Sequence, residues 1–197
     1  MKLVDTADEQ AELERILEGS KPQAPPAAHY LTATPFRYPS PHHSRFRPGN
    51  AVAGIWYSAE TIRTACTELG YWRHRFLMDS DGLRESELLV DLTIFPADVS
   101  GRALDLSEPP WDARDAAWTS YDYSACQEVA AAARGRGGVK WLRYWSARDV
   151  AGPCGAVFEP LCLSAPELAL QQTWHCSDCP FSIHAPRRRR DHAEFPR

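Results

Sequence analysis

The pattern of apolar and polar positions predicts a short helix near the start of the chain. Apolar side chains recur at helical spacing within residues 5–19. The face that they form consists of Leu13, Ile16 and Leu17. Residues 21–28 contain three prolines, which end the helix because proline lacks the backbone N–H that a helix interior needs. We therefore interpret residues 1–28 as an N-terminal helix followed by a proline-rich linker.

A strand followed by a longer helix is predicted next. Residues 51–59 are rich in β-branched and aromatic side chains, as strands are, and Ser58 near their end is a favourable helix N-cap. The apolar stripe of the following helix consists of Ile62, Ala65, Cys66, Leu69 and Phe76. Glu68 lies beside this stripe, which puts its carboxylate at the boundary between core and solvent.

The rest of the pattern predicts more strand than helix. Residues 30–50 contain four prolines among arginines and aromatics, a composition that favours extended loops. An alanine-rich helix is predicted from Asp122 to Arg134, with Gly135 as its C-cap. Strands are predicted over residues 86–99, 103–106, 139–146, 155–160 and 169–176. Because strands cluster and do not alternate regularly with helices, we expect a mixed α+β fold and not a doubly wound parallel sheet.

Composition narrows the class of protein. A chain of 197 residues with 44% hydrophobic content can bury one substantial core, so we expect a single domain. The formal net charge of -4 provides no global attraction to nucleic acid or anionic membranes. No apolar stretch approaches the length of a membrane span, and the N-terminus lacks the order of a secretory signal. We expect a cytoplasmic protein whose six cysteines stay reduced.

Several polar and aromatic side chains stand at predicted strand ends and in loops that prolines restrict. They are Arg37, Tyr38, Arg45, Tyr57, Glu68 and Ser146. The stretches that contain them are ATPFRYP, SRFRPG, GIWYSAETIRTACTELGYWR and LRYWSARDVAGPCGAVFEP. In their order and spacing these stretches resemble the RES domain, named for an arginine, a glutamate and a serine. The resemblance assigns residues 29–175 to the domain and leaves residues 176–197 as a C-terminal tail that could add a terminal strand.

The resemblance implies an ADP-ribosyltransferase-like fold, with a mixed sheet core and flanking helices, and the activity of a toxin. RES toxins of toxin–antitoxin pairs consume NAD⁺ by cleaving its bond to nicotinamide, through hydrolysis, phosphorolysis or ADP-ribosyl transfer to a protein. NAD⁺ is thus the expected substrate, and no metal is expected. The expected partner is an antitoxin that carries a DNA-binding helix-turn-helix and covers the pocket. Direct contact with nucleic acid or membrane is not expected, and homodimer formation stays open.

The resemblance also carries roles over to single residues. Arg37 matches the arginine that meets the dinucleotide, and Tyr38 matches the less strict aromatic after it. Arg45 matches the arginine of a Gly-x-Arg-aromatic motif. Planar guanidinium groups suit a pyrophosphate because they donate paired, charge-assisted hydrogen bonds to phosphate oxygens. Both arginines are therefore expected to position the substrate.

The remaining matches suit the reacting end of NAD⁺. Cleavage of the nicotinamide–ribose bond develops oxocarbenium character, which the carboxylate of Glu68 can stabilise. Tyr57 matches a tyrosine at a strand end, and its ring can stack on the cationic nicotinamide for about 0.5–2 kcal/mol. Ser146 matches the family serine and is expected to hydrogen-bond a phosphate or ribose oxygen, not to act as a nucleophile.

Each of these residues also has an ordinary structural interpretation. An arginine beside aromatics often stacks, a lone glutamate on a helix is usually solvated, and a tyrosine on a strand usually packs. Their joint occurrence in the family's order favours the functional interpretation. The chain departs from the family at His42 and His43, where relatives have glycine or small residues, and the imidazoles could narrow this loop or change its pH response.

The C-terminal segment leaves a non-catalytic alternative open. Four potential zinc ligands stand close together there: His175, Cys176, Cys179 and His184. Zinc modules normally separate two ligand pairs by a dozen residues, so this spacing is poor. The arginines of residues 187–190 could neutralise nucleic-acid phosphates, but Asp191 and Glu194 follow them and no groove-reading helix is recognisable. A solvated tail is the favoured interpretation.

Overall fold

The computed structural model describes residues 6–20, 29–38, 40–83, 89–135, 138–178 and 181–184. Its α-helices are α1 (Ala7–Ser20), α2 (Tyr30–Arg37), α3 (Ile62–Met78), α4 (Asp115–Trp118) and α5 (Ser124–Gly135). Single 3-10 turns occupy Asp112–Arg114, Pro160–Cys162 and Leu168–Leu170. Within the described residues, no helix combines the length and the apolar character that crossing a bilayer requires.

The strands form two sheets. They are β1 (Trp56–Ala59), β2 (Leu89–Ile94), β3 (Ala103–Asp105), β4 (Trp141–Trp145), β5 (Pro153–Val157), β6 (Gln172–Asp178) and β7 (Phe181–His184). The first sheet has the order β1-β5-β4-β3, with β3 and β4 parallel and the other pairs antiparallel. The second has the order β2-β6-β7 and is antiparallel. The α+β prediction with a mixed sheet is therefore confirmed.

The prolines of residues 30–50 led us to predict extended loops over this whole segment, but the structure shows that its first part is helical. Residues 30–37 form α2, which His29 caps by accepting a hydrogen bond from Leu31 N at its Nδ1 (3.3 Å). Thr32 and Ala33 are buried and hold the helix to the domain. Pro35 lies inside the helix, where its missing N–H removes the hydrogen bond that would go to the carbonyl of Leu31. Tertiary burial thus overrides the local preference of the sequence.

The boundary between β1 and α3 also differs from the prediction. β1 begins at Trp56 and not at residue 51, because Gly54 packs against α2: a Cβ there would lie 2.1 Å from the carbonyl oxygen of Pro35. Ser58 belongs to β1 and pairs with Gly155. The N-cap of α3 is Thr61, whose Oγ1 accepts a hydrogen bond from Thr64 N (3.1 Å).

The core lies between the first sheet and α5. Buried residues alternate along β4, where Leu142 and Tyr144 face inward. α5 contributes residues spaced three and four apart: Cys126, Val129, Ala130 and Ala133. Trp118 closes the core from α4 and is 1% exposed. Cys66, Cys126, Cys154 and Cys162 are free thiols. The boundaries 1–28, 29–175 and 176–197 stay predictions, and β6 runs into the last of these segments.

We expect Leu142→Ala to lower the free energy of unfolding by about 2–5 kcal/mol, because it leaves a cavity where a side chain is fully enclosed. Urea denaturation measures this change. Val52→Ala is the matched control, since Val52 is 85% exposed and should change stability by less than about 0.5 kcal/mol. Equal midpoints for the two variants would contradict the assignment of β4 to the core.

Candidate active site

A cavity of about 270 Å³ opens between β1, α3 and the chain that follows β4. Its lining consists of Ser44, Arg45, Tyr57, Ser58, Ala59, Ala65, Glu68, Leu69, Trp72, Tyr123, Tyr144, Arg148 and Cys154. A larger cavity of about 830 Å³ adjoins it and reaches residues 92–99. The lining residues common to both cavities are Tyr57, Ser58, Ala59, Ala65, Leu69 and Cys154.

Glu68 lies on the face of α3 that borders the cavity. Its Oε1 accepts a hydrogen bond from Ser146 Oγ at 2.5 Å. The same Ser146 oxygen accepts hydrogen bonds from the backbone N–H groups of Arg148 (3.0 Å) and Asp149 (2.9 Å). The hydroxyl therefore has one donated and two accepted hydrogen bonds, and it holds the Glu68 carboxylate at a defined position.

The turn after β4 is fastened to α3 at a second point. Asp149 is buried, and its Oδ2 accepts a hydrogen bond from Thr64 Oγ1 (2.8 Å). Arg63 Nη2 lies 3.3 Å from Asp149 Oδ1. Because Thr64 and Glu68 are four residues apart, they lie on the same face of α3. Both therefore contact one turn, residues 146–149, which fixes the helix against the sheet.

Tyr57 presents its ring to the cavity and anchors its hydroxyl elsewhere. The hydroxyl accepts a hydrogen bond from Phe46 N (3.1 Å) and is hydrogen-bonded to Ser44 Oγ (2.9 Å). Burial of this end raises the pKa of the phenol above its usual value, so that Tyr57 stays neutral. The residue as a whole is 38% exposed, which leaves ring surface available for stacking.

Arg45 is buried at the base of the cavity. Its Nη1 donates hydrogen bonds to the backbone oxygens of Trp118 (2.5 Å) and Ser120 (3.0 Å), and its guanidinium lies 5.1 Å from the ring centre of Tyr123. These contacts tie the loop of residue 45 to α4. Arg45 Nη2 is enclosed and has no hydrogen-bond partner within the described ranges.

Arg148 is a residue of the site that the sequence analysis missed. It lines the cavity, and its guanidinium carbon lies 4.0 Å from the ring centre of Tyr71 and 5.3 Å from that of Tyr121. Its Nε and Nη2 are buried, and no described residue forms a hydrogen bond with them. The available signal was its position two residues after Ser146 within the same YWSAR stretch.

The six sequence-predicted residues do not all meet. Arg45, Tyr57 and Glu68 line the cavity, and Ser146 supports Glu68 from behind without lining it. Arg37 and Tyr38 stand at the end of α2, with the guanidinium 5.9 Å from the neighbouring ring. Among the described residues that line the two cavities, neither Arg37 nor Tyr38 is included.

Cys154 lines the cavity, and its thiol is buried. Burial, reinforced by the charge of Glu68, raises the pKa of Cys154 to about 12. Because the thiolate is the nucleophile, this residue is unsuited to covalent chemistry at neutral pH. The chemistry of the cavity therefore falls to the carboxylate of Glu68, the two guanidinium groups and the aromatic rings.

A comparison with protein-family models matches residues 18–178 to the RES domain. The chain belongs to the RES-domain family. The match covers most of the chain, and it confirms the resemblance drawn from the four sequence stretches. RES domains are known from NAD-related toxin–antitoxin systems. A search of curated proteins found no match.

Two further sequence expectations concern other parts of the RES chain. His43 Nδ1 accepts a hydrogen bond from Gly49 N (3.3 Å), and neither His42 nor His43 lines the described cavity. Among residues that the structure describes, no three metal-ligating side chains come together, and His175 instead contacts Asp91 (2.8 Å). Cys179 and the arginines of residues 187–190 lie outside the described residues.

We expect Ser146→Ala to lower the free energy of unfolding by about 1–3 kcal/mol, because Glu68 loses its donor and two backbone N–H groups lose their acceptor. Urea denaturation measures the change. Ser124→Ala is the control: it removes one exposed hydrogen bond to Asp122 and should cost less than about 0.5 kcal/mol. A Ser146→Ala protein as stable as the control would show that this contact does not hold α3.

Cys154 should resist alkylation in the folded protein. With a pKa of about 12, roughly one thiol in ten thousand is ionised at pH 8. Iodoacetamide treatment at pH 8 followed by peptide mass spectrometry should leave Cys154 unmodified, whereas the urea-unfolded chain should react there. Rapid labelling of the folded protein at Cys154 would contradict the burial of this thiol.

Proposed function

We propose that this RES domain cleaves NAD⁺ at the bond between nicotinamide and ribose. The observation that carries the proposal is the placement of Glu68: a carboxylate held by Ser146 at the edge of a cavity that also contains a tyrosine ring and two arginines. A carboxylate, an aromatic face and guanidinium groups are the chemistry that the ribose, the nicotinamide and the phosphates of this dinucleotide require.

The geometry suggests a division of labour within the cavity. The ring of Tyr57 stacks on the cationic nicotinamide and sets its plane. As the bond between the anomeric carbon and the ring nitrogen breaks, its electron pair goes to the nicotinamide, which leaves as a neutral molecule. Positive charge grows on the ribose, where Glu68 stabilises it. An oxygen of the acceptor then bonds to the anomeric carbon and loses its proton.

Ser146 acts on this reaction through Glu68. Its hydroxyl already donates to the carboxylate and accepts two backbone hydrogen bonds. It is therefore a positioning residue in the proposed mechanism, and not a contact to substrate phosphate or ribose. Preorganisation of the carboxylate before the substrate arrives lowers the reorganisation that the transition state needs.

The biological role follows from this chemistry. An enzyme that consumes NAD⁺ in the cytoplasm would arrest its host, so we propose that the chain is the toxin of a toxin–antitoxin pair. Its partner would be an antitoxin that covers the cleft. The outer rim of the cavity offers apolar surface for such a contact, since Leu69 is 42% exposed and Trp72 is 39% exposed.

We expect Glu68→Gln to lower NAD⁺ turnover at least about 100-fold, because the substitution removes the charge at nearly constant size. The assay incubates purified protein with NAD⁺ and measures nicotinamide release and the ADP-ribose product by mass spectrometry. Parallel samples with phosphate or cell extract identify the acceptor as water, phosphate or protein.

The matched control is Glu128→Gln, an exposed carboxylate on α5 outside the cavity. It should turn over NAD⁺ at the wild-type rate, and both variants should unfold at the wild-type temperature. Full activity in Glu68→Gln would remove Glu68 from the mechanism. Absence of NAD⁺ cleavage by the wild-type chain, with and without phosphate and extract, would overturn the proposed function.

A further inference from the structure

Two arginines in the cavity carry buried N–H groups for which the described part of the chain provides no acceptor. Nε and Nη2 of Arg148 and Nη2 of Arg45 are shielded from solvent and have no hydrogen-bond partner among the described residues. Buried donors of a charged group are destabilising when they stay unpaired. Both side chains line the same 270 Å³ cavity. An acceptor that enters it would therefore supply hydrogen bonds that the protein alone does not make.

Two aromatic rings lie close to the guanidinium of Arg148. Tyr71 and Tyr121 lie against it, at 4.0 and 5.3 Å from guanidinium carbon to ring centre. Tyr71 and Tyr123 hydrogen-bond this guanidinium, and the edge formed by Nε and Nη2 has no partner among the described residues. That edge matches two oxygens of a phosphate better than a single carbonyl or hydroxyl.

The charge of the cavity points to an anion. The side chains of its described lining that are charged at neutral pH are Arg45, Arg148 and Glu68, which leaves an excess of positive charge. The neighbouring carboxylate of Asp149 is engaged by Arg63 and Thr64. The carboxylate of Glu68 is engaged by Ser146.

We propose that Arg148, together with Arg45, binds a phosphate group in this cavity and selects phosphorylated nucleotides over the free nucleoside. The proposal rests on the proposed NAD⁺ cleavage for the source of the phosphate, which is either the pyrophosphate of NAD⁺ or inorganic phosphate acting as acceptor. Arg148 thereby becomes a substrate-binding residue in addition to those that the sequence motifs indicated.

The test measures binding separately from cleavage. Isothermal titration of ADP-ribose into Arg148→Met should show an affinity about 10- to 100-fold below wild type, the loss expected for charge-assisted hydrogen bonds. Nicotinamide riboside, which has no phosphate, should bind both proteins equally. Arg148→Lys keeps the charge without the fork, should also bind ADP-ribose less tightly, and carries the test if the methionine variant does not fold.

Arg114→Met is the control for loss of a stacked arginine. Arg114 lies 4.8 Å from the ring centre of Trp118, is exposed and does not line the described cavity. Its ADP-ribose affinity should equal that of wild type. A twofold change or less in a folded Arg148 variant, or an equal loss of nicotinamide riboside binding, would overturn the proposal.

Titration with inorganic phosphate separates the two sources. Phosphate that binds wild type but not Arg148→Met, and that speeds NAD⁺ turnover with ADP-ribose-1-phosphate as product, would identify the acceptor site. If inorganic phosphate binds wild type and Arg148→Met equally weakly, but Arg148→Met loses affinity for ADP-ribose, then Arg148 binds the pyrophosphate of NAD⁺. Arg148-dependent ADP-ribose binding without any NAD⁺ cleavage would uphold this inference and reject the proposed function.

Discussion

The hydrogen bond from Ser146 Oγ to Glu68 Oε1 joins the end of β4 to the middle of α3, between residues 78 positions apart. This hydrogen bond restricts the position of Glu68 because the Ser146 hydroxyl is itself fixed. Its oxygen accepts two hydrogen bonds from backbone N–H groups of the turn. The serine cannot move without breaking the turn, and the carboxylate cannot move without losing its donor. Glu68 is consequently held by the backbone of the turn after β4 and not by its helix alone.

A glycine makes this arrangement sterically allowed. The turn approaches α3 so closely at Gly152 that a Cβ would lie 2.7 Å from Thr64 Oγ1. Asp149 in the same turn bonds to that hydroxyl, so the close approach and the polar network depend on each other. The stretch SARDVAG, residues 146–152, therefore works as one unit: it positions Glu68, fixes α3 and carries Arg148 into the cavity.

The ligand that the rest of the cavity suits depends on which of its side chains already have hydrogen-bond partners in the protein and which do not. Tyr57 has both partners of its hydroxyl within the protein, so only its ring remains for a ligand. Burial raises the pKa of the Cys154 thiol, so that the thiol stays protonated at neutral pH. Arg45 and Arg148 are the reverse case, because each keeps donors that nothing in the described structure accepts. A cavity in which the neutral groups are paired and the cations are incompletely paired is suited to an anionic, planar-ringed substrate.

Much of this molecule is readable from the order of its residues. Helical spacing placed α3 and α5 and put Glu68 at a core boundary, and β-branched runs placed the strands, because these signals come from neighbours along the chain. Motif order alone indicated the RES family. Local patterns misjudged α2, since burial of Thr32 and Ala33 outweighs the prolines around them. The pairing of β1 with β5, the role of Ser146 behind Glu68, and the stacking of Arg148 on Tyr71 required the folded chain. These contacts join residues that are distant in sequence. They form, and contribute to stability, only in the folded state, where packing excludes water and brings the groups together.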